Sequence, residues 1–400
     1  MSRSEPAAVD EGHSAAVPAG RERVAASLGK LEVVICCGSG GVGKTTVSAS
    51  LAAAIASVHS KRVLVLTIDP ARRLATALGM TGIGSDPVAI SASRLRRAGL
   101  PLRGELAAAM LDQKSAWDRM IERYAPSREV ARRIMANRFY QGISDSFVGS
   151  HEYMAMESLY ELHEAGEYDC LVVDTPPSRN ALDFLEAPAR LSDFVGARLL
   201  TWLSRPSRFG FHAMNLAASP LLRIADRLLG GEVLGELGEF VEDLQTLYSG
   251  VQQRARAVSK LLRSPRVGVV VVTTLEPAAF AEAEFFVSKL RDYSMTVRAV
   301  VVNRVLPDYL SDDGPRRVAE ALVENRGVAA DLGRALGTSV DAASAAGIAR
   351  AFTLLSELAR REARQLPRLS RMTTAPTVQL PLIPERVSDL EGLARMALML

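Results

Sequence analysis

The chain has 400 residues, of which 48% are hydrophobic and 23% are charged, a composition typical of a globular protein of roughly two or three domains. Its formal net charge of +3 is small and does not favour nucleic acid or an anionic membrane as a partner. Its three cysteines form no C-x-x-C pair, which argues against a zinc site and a disulfide framework and favours a reduced, cytoplasmic compartment. No N-terminal signal segment and no apolar run of about 18 residues occur, so the sequence predicts a soluble chain.

The N-terminal residues 1–28 are rich in alanine, serine, proline and glutamate, and they are predicted to form a disordered leader before one domain at 29–400. Six short apolar runs follow, and none of them alternates between apolar and polar residues. They are Leu31–Cys37, Arg62–Ile68, Asp169–Val173, Val267–Thr274, Val297–Val302 and Thr377–Leu380. Such runs indicate strands buried on both faces, and the helical segments between them predict an α/β fold with a doubly wound, mostly parallel sheet.

Two intervals between the predicted strands are too long to be simple crossovers. Residues 104–167 and 187–264 both contain apolar side chains at three- and four-residue spacing, which is typical of amphipathic helices. We therefore predict a helical subdomain that is built from these two intervals and inserted into the topology of the sheet. A third helical stretch, 315–366, precedes the last predicted strand.

A glycine-rich loop follows the first predicted strand. Residues Gly38–Thr45 satisfy the pattern G-x-x-x-x-G-K-S/T, and a predicted helix at Val47–Ala56 comes next, which is the context that makes the pattern specific for phosphate. Glycines let consecutive backbone N–H groups turn inward, and the helix presents its positive end to the phosphates. Lys44 would add a positive charge near the β- and γ-phosphates, and Thr45 would offer its hydroxyl to Mg²⁺.

Two aspartates, Asp69 and Asp174, each follow a buried apolar run. Because ligands of open parallel sheets bind outside the carboxyl ends of the strands, we expect both side chains near the phosphate loop. Asp69 could position or deprotonate a water molecule, and Asp174 could anchor the Mg²⁺ shell. Either residue alone could equally cap the next helix, but together with the loop they favour phosphoryl transfer to water.

Six motifs follow one another along the chain: GSGGVGKTT, TIDPARRL, DTPPSRNALDFLEAP, TTLEP, VVNRV and LPLIPERV. Together they resemble the arsenical pump-driving ATPase family, which includes the ATPases that target tail-anchored membrane proteins. The resemblance covers residues 30–400 and is strongest to bacterial anion-transporting ATPases of the actinobacterial type. It implies a P-loop NTPase fold of the deviant Walker A type, ATP hydrolysis, and ATP and Mg²⁺ as bound ligands.

The resemblance also implies roles for individual residues around the phosphates. The implied P-loop residues are Gly38, Ser39, Gly40, Gly41, Val42, Gly43, Lys44, Thr45 and Thr46. Asp69 matches the catalytic aspartate of the family's first switch, and Asp174 matches the aspartate of its second switch. Lys44, Asp69 and Asp174 are therefore the expected catalytic residues. Thr45, Asp69 and Asp174 are the expected neighbours of the metal.

The base-binding side of the site is implied by the resemblance in the same way. Glu276 and Asn303 match residues of the family's nucleotide site, and Asn303 would face the adenine. Pro381 and Ile383 lie where the family's adenine-side loop begins. No Asn-Lys-x-Asp guanine-reading motif follows Asn303 in the sequence, which supports ATP over GTP.

The chain departs from the family at Ser39, where members usually carry a lysine that reaches the nucleotide of the partner in a dimer. A cation supplied in this way raises a phosphoryl-transfer rate roughly 10³–10⁵-fold. Three explanations remain open: a slow or nucleotide-sensing chain, substitution by an arginine of residues 69–73 or by Arg179, or a partner paralogue that keeps the lysine. We favour the paralogue or the slow chain.

The expected partner is a second copy of the chain or a paralogous ATPase. Residues 194–229 are rich in apolar side chains, and the corresponding region of the targeting relatives forms a groove for the transmembrane helix of a client. Plain packing between helices explains the same residues equally well. Two alternatives to a client-handling switch ATPase are the catalytic subunit of an anion (arsenite) pump and a weakly hydrolysing nucleotide-binding partner. The pump reading is disfavoured because the family's arsenite-binding cysteines are absent.

Overall fold

The structure is a computed structural model that describes residues 24–68, 73–80, 82–141, 150–175, 231–383 and 389–400. Its central element is an eight-stranded sheet. Its strands are β1 (Val33–Cys37), β2 (Arg62–Thr67), β3 (Val88–Ala89), β4 (Glu105–Met110), β5 (Cys170–Asp174), β6 (Val267–Thr273), β7 (Val297–Val305) and β8 (Thr377–Pro381). Their spatial order is β3-β4-β2-β5-β1-β6-β7-β8. All neighbouring strands are parallel except β3 and β4, so the predicted α/β fold with a mostly parallel sheet is confirmed.

Helices connect the parallel strands and cover both faces of the sheet. The α-helices include α1 (Val24–Leu28), α2 (Lys44–Val58), α3 (Arg73–Ala77), α4 (Ala92–Arg97), α5 (Gln113–Tyr124), α6 (Arg128–Ala136), α7 (Ser150–Ala165), α8 (Gly231–Leu262), α9 (Pro277–Asp292), α10 (Asp313–Glu324), α11 (Arg326–Ala335), α12 (Ala342–Ala363), α13 (Leu366–Met372) and α14 (Leu390–Met399). Every crossover between parallel strands contains at least one of these helices, as parallel pairing requires.

The side chains of the central strands alternate between two apolar cores. In β1, Val34 and Cys36 belong to the core that includes α2 and α14, whereas Val33, Ile35 and Cys37 belong to the core that includes α7 and α9. All five residues are buried. Because neither face of the strand meets water, its sequence does not alternate, and this is the pattern from which the strand was predicted.

The structure corrects the start of the first helical interval, which was predicted at residue 104. Strand β4 occupies Glu105–Met110, and the helical segment begins only at Gln113. The alanines of this strand favour a helix locally. Pairing with β2 over the full length of both strands overrides that preference. The two-residue strand β3, which pairs antiparallel with β4, was not predicted at all.

The structure also moves the boundary of the N-terminal leader, which was predicted to extend to residue 28. Residues 24–28 form α1, in which Val24, Ala25 and Leu28 are buried. The backbone N–H of Ala25 donates a hydrogen bond to the carbonyl of Leu400 at 2.9 Å. This short helix is therefore part of the packed domain, held between α2 and the C-terminal residues.

Helices α5, α6, α7 and α8 pack around a third apolar cluster, which includes Met120, Ile134, Met154 and Phe240. The helices that the sequence predicted as a subdomain thus share an apolar core distinct from the two cores of the sheet. Of the second predicted interval, 187–264, the part up to residue 230 lies outside the described residues. No helix of the described ranges is both long and apolar enough to cross a membrane.

A buried ion pair joins α7 to α8. Arg254 Nε donates to both carboxylate oxygens of Glu157, at 2.9 and 3.1 Å, and Nη1 donates to Glu164 at 2.7 Å. The guanidinium carbon also lies 4.0 Å from the centre of the Tyr160 ring. Burial raises the pKa of Glu157, and the neighbouring guanidinium opposes that rise. Because α7 leads into β5, the pair connects α8 to the helix that precedes the strand ending at Asp174.

Replacement of Arg254 by methionine is expected to lower the free energy of unfolding by about 3–5 kcal/mol, because it leaves the Glu157 carboxylate buried without its cation. The matched control is Arg266→Met, which breaks an exposed pair with Glu32 and should cost at most about 1 kcal/mol. The double variant Arg254→Met/Glu157→Gln should recover part of the loss. Urea unfolding followed by circular dichroism measures all three. Equal losses for the two single variants would contradict the prediction.

Candidate functional site

The loop between β1 and α2 depends on two glycines that no other residue replaces without strain. Gly38 has a positive φ of 155°, and a Cβ there would lie 2.0 Å from the carbonyl oxygen of Val272 in β6. Gly43 directly precedes α2 with φ 92° and ψ 25°, in the left-handed region. Glycine adopts this region without the steric cost that a side chain imposes. The turn therefore directs the first N–H groups of α2 toward the carboxyl end of the sheet.

Lys44, the first residue of α2, lies over the start of its own loop. Its side chain is only 6% exposed, and Nζ donates a hydrogen bond to the carbonyl oxygen of Ser39 at 2.8 Å. The hydroxyl oxygen of Ser39 is buried and has no hydrogen-bond partner among the described residues. The loop thus places one buried ammonium group and one unpartnered hydroxyl within the same turn.

Asp174 lies at the end of β5, in register with Cys36 of β1 and Thr67 of β2. The residue is completely buried. Thr67 Oγ1 donates to one of its carboxylate oxygens at 3.0 Å, and Ser48 Oγ of α2 lies 3.4 Å from the other. The predicted proximity of this aspartate to the phosphate loop is therefore reproduced, because Ser48 belongs to the first turns of the helix that the loop begins.

Sequence reasoning missed the two hydroxyl residues that hold Asp174. Ser48 lies four residues after Lys44, on the same face of α2, and its single hydroxyl hydrogen has the Lys44 carbonyl at 2.8 Å as its nearer acceptor and Asp174 at 3.4 Å as the more distant one. Thr67 is the last residue of a buried strand. A polar residue at the carboxyl end of a strand next to β5 was the available signal, but it became informative only once the strand order was known.

The remaining predicted residues lie along the same edge of the sheet. Asn303 of β7 contacts the loop directly, since its Nδ2 donates to the carbonyl of Val42 at 2.8 Å. Glu276 is exposed and directly precedes α9. Pro381 ends β8 and pairs in register with Val305, and Ile383 packs partly buried against the core of α2.

Asp69 lies outside the described residues. Of the arginines considered as substitutes for the missing lysine, Arg72 and Arg179 also lie outside them, and Arg73 is the first residue of α3. The described chain reaches Ile68, whose N–H donates to the carbonyl of Asp174 at 3.2 Å. The roles of Asp69 in water positioning and metal binding remain predictions from the sequence.

The residues near the loop fit a Mg²⁺ ion that is bound together with phosphate. Among the described residues no cluster of three or more histidine, cysteine, aspartate or glutamate side chains could hold a metal alone. Mg²⁺ typically binds through one or two protein oxygens and completes its shell with water and substrate phosphates. The Thr45 hydroxyl and the Asp174 carboxylate are oxygen ligands of this kind. Thr45 belongs to the loop as the second residue of α2, and Asp174 lies beside Ser48 of the same helix.

The three cysteines are free thiols buried in the sheet. Burial raises the pKa of Cys36 and of Cys170 to about 12, and it raises the pKa of Cys37 well above its ordinary value. Because a thiolate is the form that binds soft metals, these residues are poor ligands. This agrees with the expectation from the sequence that they are small core residues.

Comparison with known proteins identifies relatives over most of the chain. Residues 31–324 match the family described as anion-transporting ATPase. ATPase GET3 of Malassezia globosa is 27% identical over 277 residues, which cover 69% of this chain and 73% of the relative. ATPase get3 of Schizosaccharomyces pombe is 26% identical over 282 residues, 70% of this chain and 74% of the relative. An arsenical pump-driving ATPase of Aquifex aeolicus is 23% identical over 289 residues, 70% of this chain and 64% of the relative.

Because the three cysteines are buried, we predict that none of them reacts with a thiol reagent in the native protein. At pH 8 the thiols should remain protonated and shielded, so a chromogenic disulfide reagent should label none of them until the chain is unfolded, when all three should react. The variant Ser60→Cys, which places a thiol at an exposed position after α2, is the positive control. A native thiol that reacts as fast as this control would contradict the assignment of all three cysteines to the core.

Proposed function

The chain belongs to the anion-transporting ATPase family, and from this membership we propose that it binds and hydrolyses Mg·ATP as a switch ATPase. The observation that carries the proposal is the glycine-rich loop, over which the buried Lys44 lies. Asp174 lies beside Ser48 of the helix that the loop begins, and Asn303 donates a hydrogen bond to the loop itself. Ligands of open parallel sheets bind at this edge. The names of the relatives, which are ATPases, support the same activity.

In the proposed reaction, water attacks the γ-phosphorus, and the bond to the oxygen that bridges the β- and γ-phosphates breaks. The products are ADP and inorganic phosphate. The loop N–H groups and Lys44 bind the phosphate oxygens, with Lys44 exchanging its present bond to the Ser39 carbonyl for one to phosphate. Asp69 orients the water and accepts its proton. Thr45 would bind Mg²⁺ through its hydroxyl, and Asp174 would anchor the shell of the ion. The ion would neutralise negative charge on the phosphates.

The proposed activity of the chain alone is low, because Ser39 replaces the lysine that family members present to the partner's nucleotide. A neutral hydroxyl cannot balance the charge of the transition state, whereas an added cation accelerates such reactions roughly 10³–10⁵-fold. The Ser39 hydroxyl is buried and has no hydrogen-bond partner among the described residues, and it carries no charge that could take the place of the lysine ammonium. A paralogous subunit with the lysine would supply the missing charge.

For the finer role we propose the handling of hydrophobic membrane-protein segments in the cytoplasm, rather than arsenite extrusion. Arsenite binding in the pump ATPases requires thiol ligands, and the thiols of this chain are buried with raised pKa values. Three free thiols also fit a reducing compartment. The apolar segment 194–229, on which client binding was predicted, lies outside the described residues, so its role as a groove remains a prediction from the sequence.

We propose that a second copy of the chain pairs through α12. One broad face of this helix exposes Ile348, Leu354, Leu355 and Leu358, with exposed fractions from 40% to 67%. Clustered exposed apolar side chains typically mark a protein contact. If two α12 helices pair antiparallel about a twofold axis near Leu354, the charged residues Arg350 and Glu357, which lie on one flank of that face, oppose each other across the axis. The face is then self-complementary in charge, as a symmetric dimer requires.

Mutation of the P-loop serine tests the ATPase proposal. Ser39→Lys should raise Mg·ATP turnover of the chain by at least about tenfold, because it restores a cation near the γ-phosphate, whereas Ser39→Ala should change it little. Asp69→Asn should abolish turnover in both backgrounds and thereby assign the activity to this site. Phosphate release measured on the purified chain, alone and with a paralogue, provides the readout. Turnover that survives Asp69→Asn would contradict the proposed site.

Charge exchange on α12 tests the dimer contact. Arg350→Glu should shift the chain from dimer to monomer, and Arg350→Glu/Glu357→Arg should restore the dimer because the opposite charges meet again. Val323→Glu on α10, where the native side chain is 60% exposed, is a control for the introduction of a surface charge. Sedimentation equilibrium measures the masses. A wild-type monomer at high concentration, or an unchanged dimer in Arg350→Glu, would refute this contact.

A further inference from the structure

Asn303 makes a contact with the P-loop that the predicted role in adenine binding does not require. We propose that this residue is a positioning residue that orients the peptide between Val42 and Gly43 for phosphate binding. The proposal rests on the proposed nucleotide-binding function and deepens it. It states that one side chain of β7 holds the loop that follows β1 in its binding conformation.

An irregularity in the sheet lies at Asn303, which by strand alternation is on the same face of β7 as Val301, the face covered by α2. The register between β7 and β8 shifts between Val302 and Val305, and the shifted residues are Asn303 and Arg304. Arg304 has a φ of 60°, a left-handed conformation that non-glycine residues rarely adopt. Its N–H donates to Oδ1 of Asn303 at 3.0 Å, so the local turn is fastened to the asparagine side chain. Strained residues of this kind concentrate at functional sites.

The other end of the same carboxamide holds the loop. Nδ2 of Asn303 donates to the carbonyl oxygen of Val42 at 2.8 Å, and the asparagine is 7% exposed. A Cβ on Gly43 would lie 2.4 Å from this nitrogen, so the close approach depends on glycine at that position. Asn303 and Val42 are 261 positions apart in the sequence, and their hydrogen bond is a direct polar link from β7 to the loop.

The direction of that hydrogen bond fixes the direction of a loop N–H. In a trans peptide the carbonyl and the N–H point to opposite sides of the same plane, and the structure contains no cis peptide bond among its described residues. The hydrogen bond points the Val42 carbonyl toward Asn303. The N–H of Gly43, in the same peptide, therefore points away from Asn303. Backbone N–H groups that are oriented before the ligand arrives are what an anion-binding loop of this type provides.

The Asn303 carboxamide has enough donors and acceptors to hold the loop and to contact adenine at the same time. An asparagine amide has two N–H donors and an oxygen with two lone pairs. The contacts with Val42 and Arg304 use one donor and one lone pair. One donor and one lone pair remain for a base, and an adenine edge offers a matching acceptor and donor. A ligand that has phosphates but no base therefore separates the two roles.

Binding of tripolyphosphate tests the proposal directly. Asn303→Ala should weaken binding of Mg·tripolyphosphate roughly 3- to 10-fold, the effect of losing one neutral hydrogen bond, and Asn303→Asp should weaken it more because a carboxylate cannot donate to the Val42 carbonyl. The matched control is Asn325→Ala, which removes an asparagine that caps α11 by accepting from the Gly327 N–H at 2.8 Å. It should leave tripolyphosphate binding unchanged. Isothermal titration calorimetry with ATP and with tripolyphosphate gives both affinities for each variant.

The outcomes distinguish the positioning role from a base contact. Loss of tripolyphosphate affinity in Asn303→Ala supports the proposal, whereas a loss confined to ATP would overturn it and leave only the adenine contact. Hydrogen–deuterium exchange of the ligand-free chain supplies a second readout. Amides of residues 38–46 should exchange faster in Asn303→Ala than in wild type or Asn325→Ala, and equal exchange would overturn the proposal. If the wild type binds neither ligand, the proposed function fails, and the exchange measurement still decides whether Asn303 holds the loop.

Discussion

The close approach of the Gly38 backbone to the Val272 carbonyl is the contact on which the rest of the site depends. It allows β1 to end beside β6 and the chain to turn at once into α2. A side chain at this position would push the loop away from the sheet, and Lys44 would no longer lie over it. Strand β5, which pairs with β1, then contributes Asp174, and β7, which lies on the far side of β6, contributes Asn303. The proposed phosphate site is therefore assembled by the order of the strands rather than by the loop alone.

Several strands are predictable from the sequence, because a strand that is buried on both faces is a continuous apolar run without alternating polar residues. The runs at Leu31–Cys37 and Val267–Thr274 were predicted as strands, and the structure contains both as β1 and β6. Strand β4 was missed because its alanines also suit a helix, and only its pairing with β2 decides between the two. Local preference carries little information where a distant partner fixes the conformation.

The site was predictable to the extent that its residues stand at strand ends or in a specific motif. The loop pattern and Asp174 could be predicted as site residues because phosphate and metal chemistry constrain the residue types and their spacing, and the structure places Asp174 beside the helix that the loop begins. The contact between Asn303 and Val42 could not, since it joins residues 261 positions apart and depends on the strand order that brings β7 near the loop. The hydroxyl partners of Asp174 were hidden for a similar reason. Thr67 and Ser48 become site residues only when β2 and α2 lie beside β5.

The central claim is that this loop binds the phosphates of Mg·ATP through Lys44 and the N–H groups that the glycines expose. Calorimetric titration of ATP into the purified chain, with Mg²⁺ and then with EDTA, measures it most directly when wild type is compared with Lys44→Met. The account predicts one ATP per wild-type chain and binding at least about tenfold weaker in Lys44→Met, because a charged hydrogen bond to phosphate is lost. Equal affinities in the two proteins, or no binding by wild type, would contradict it.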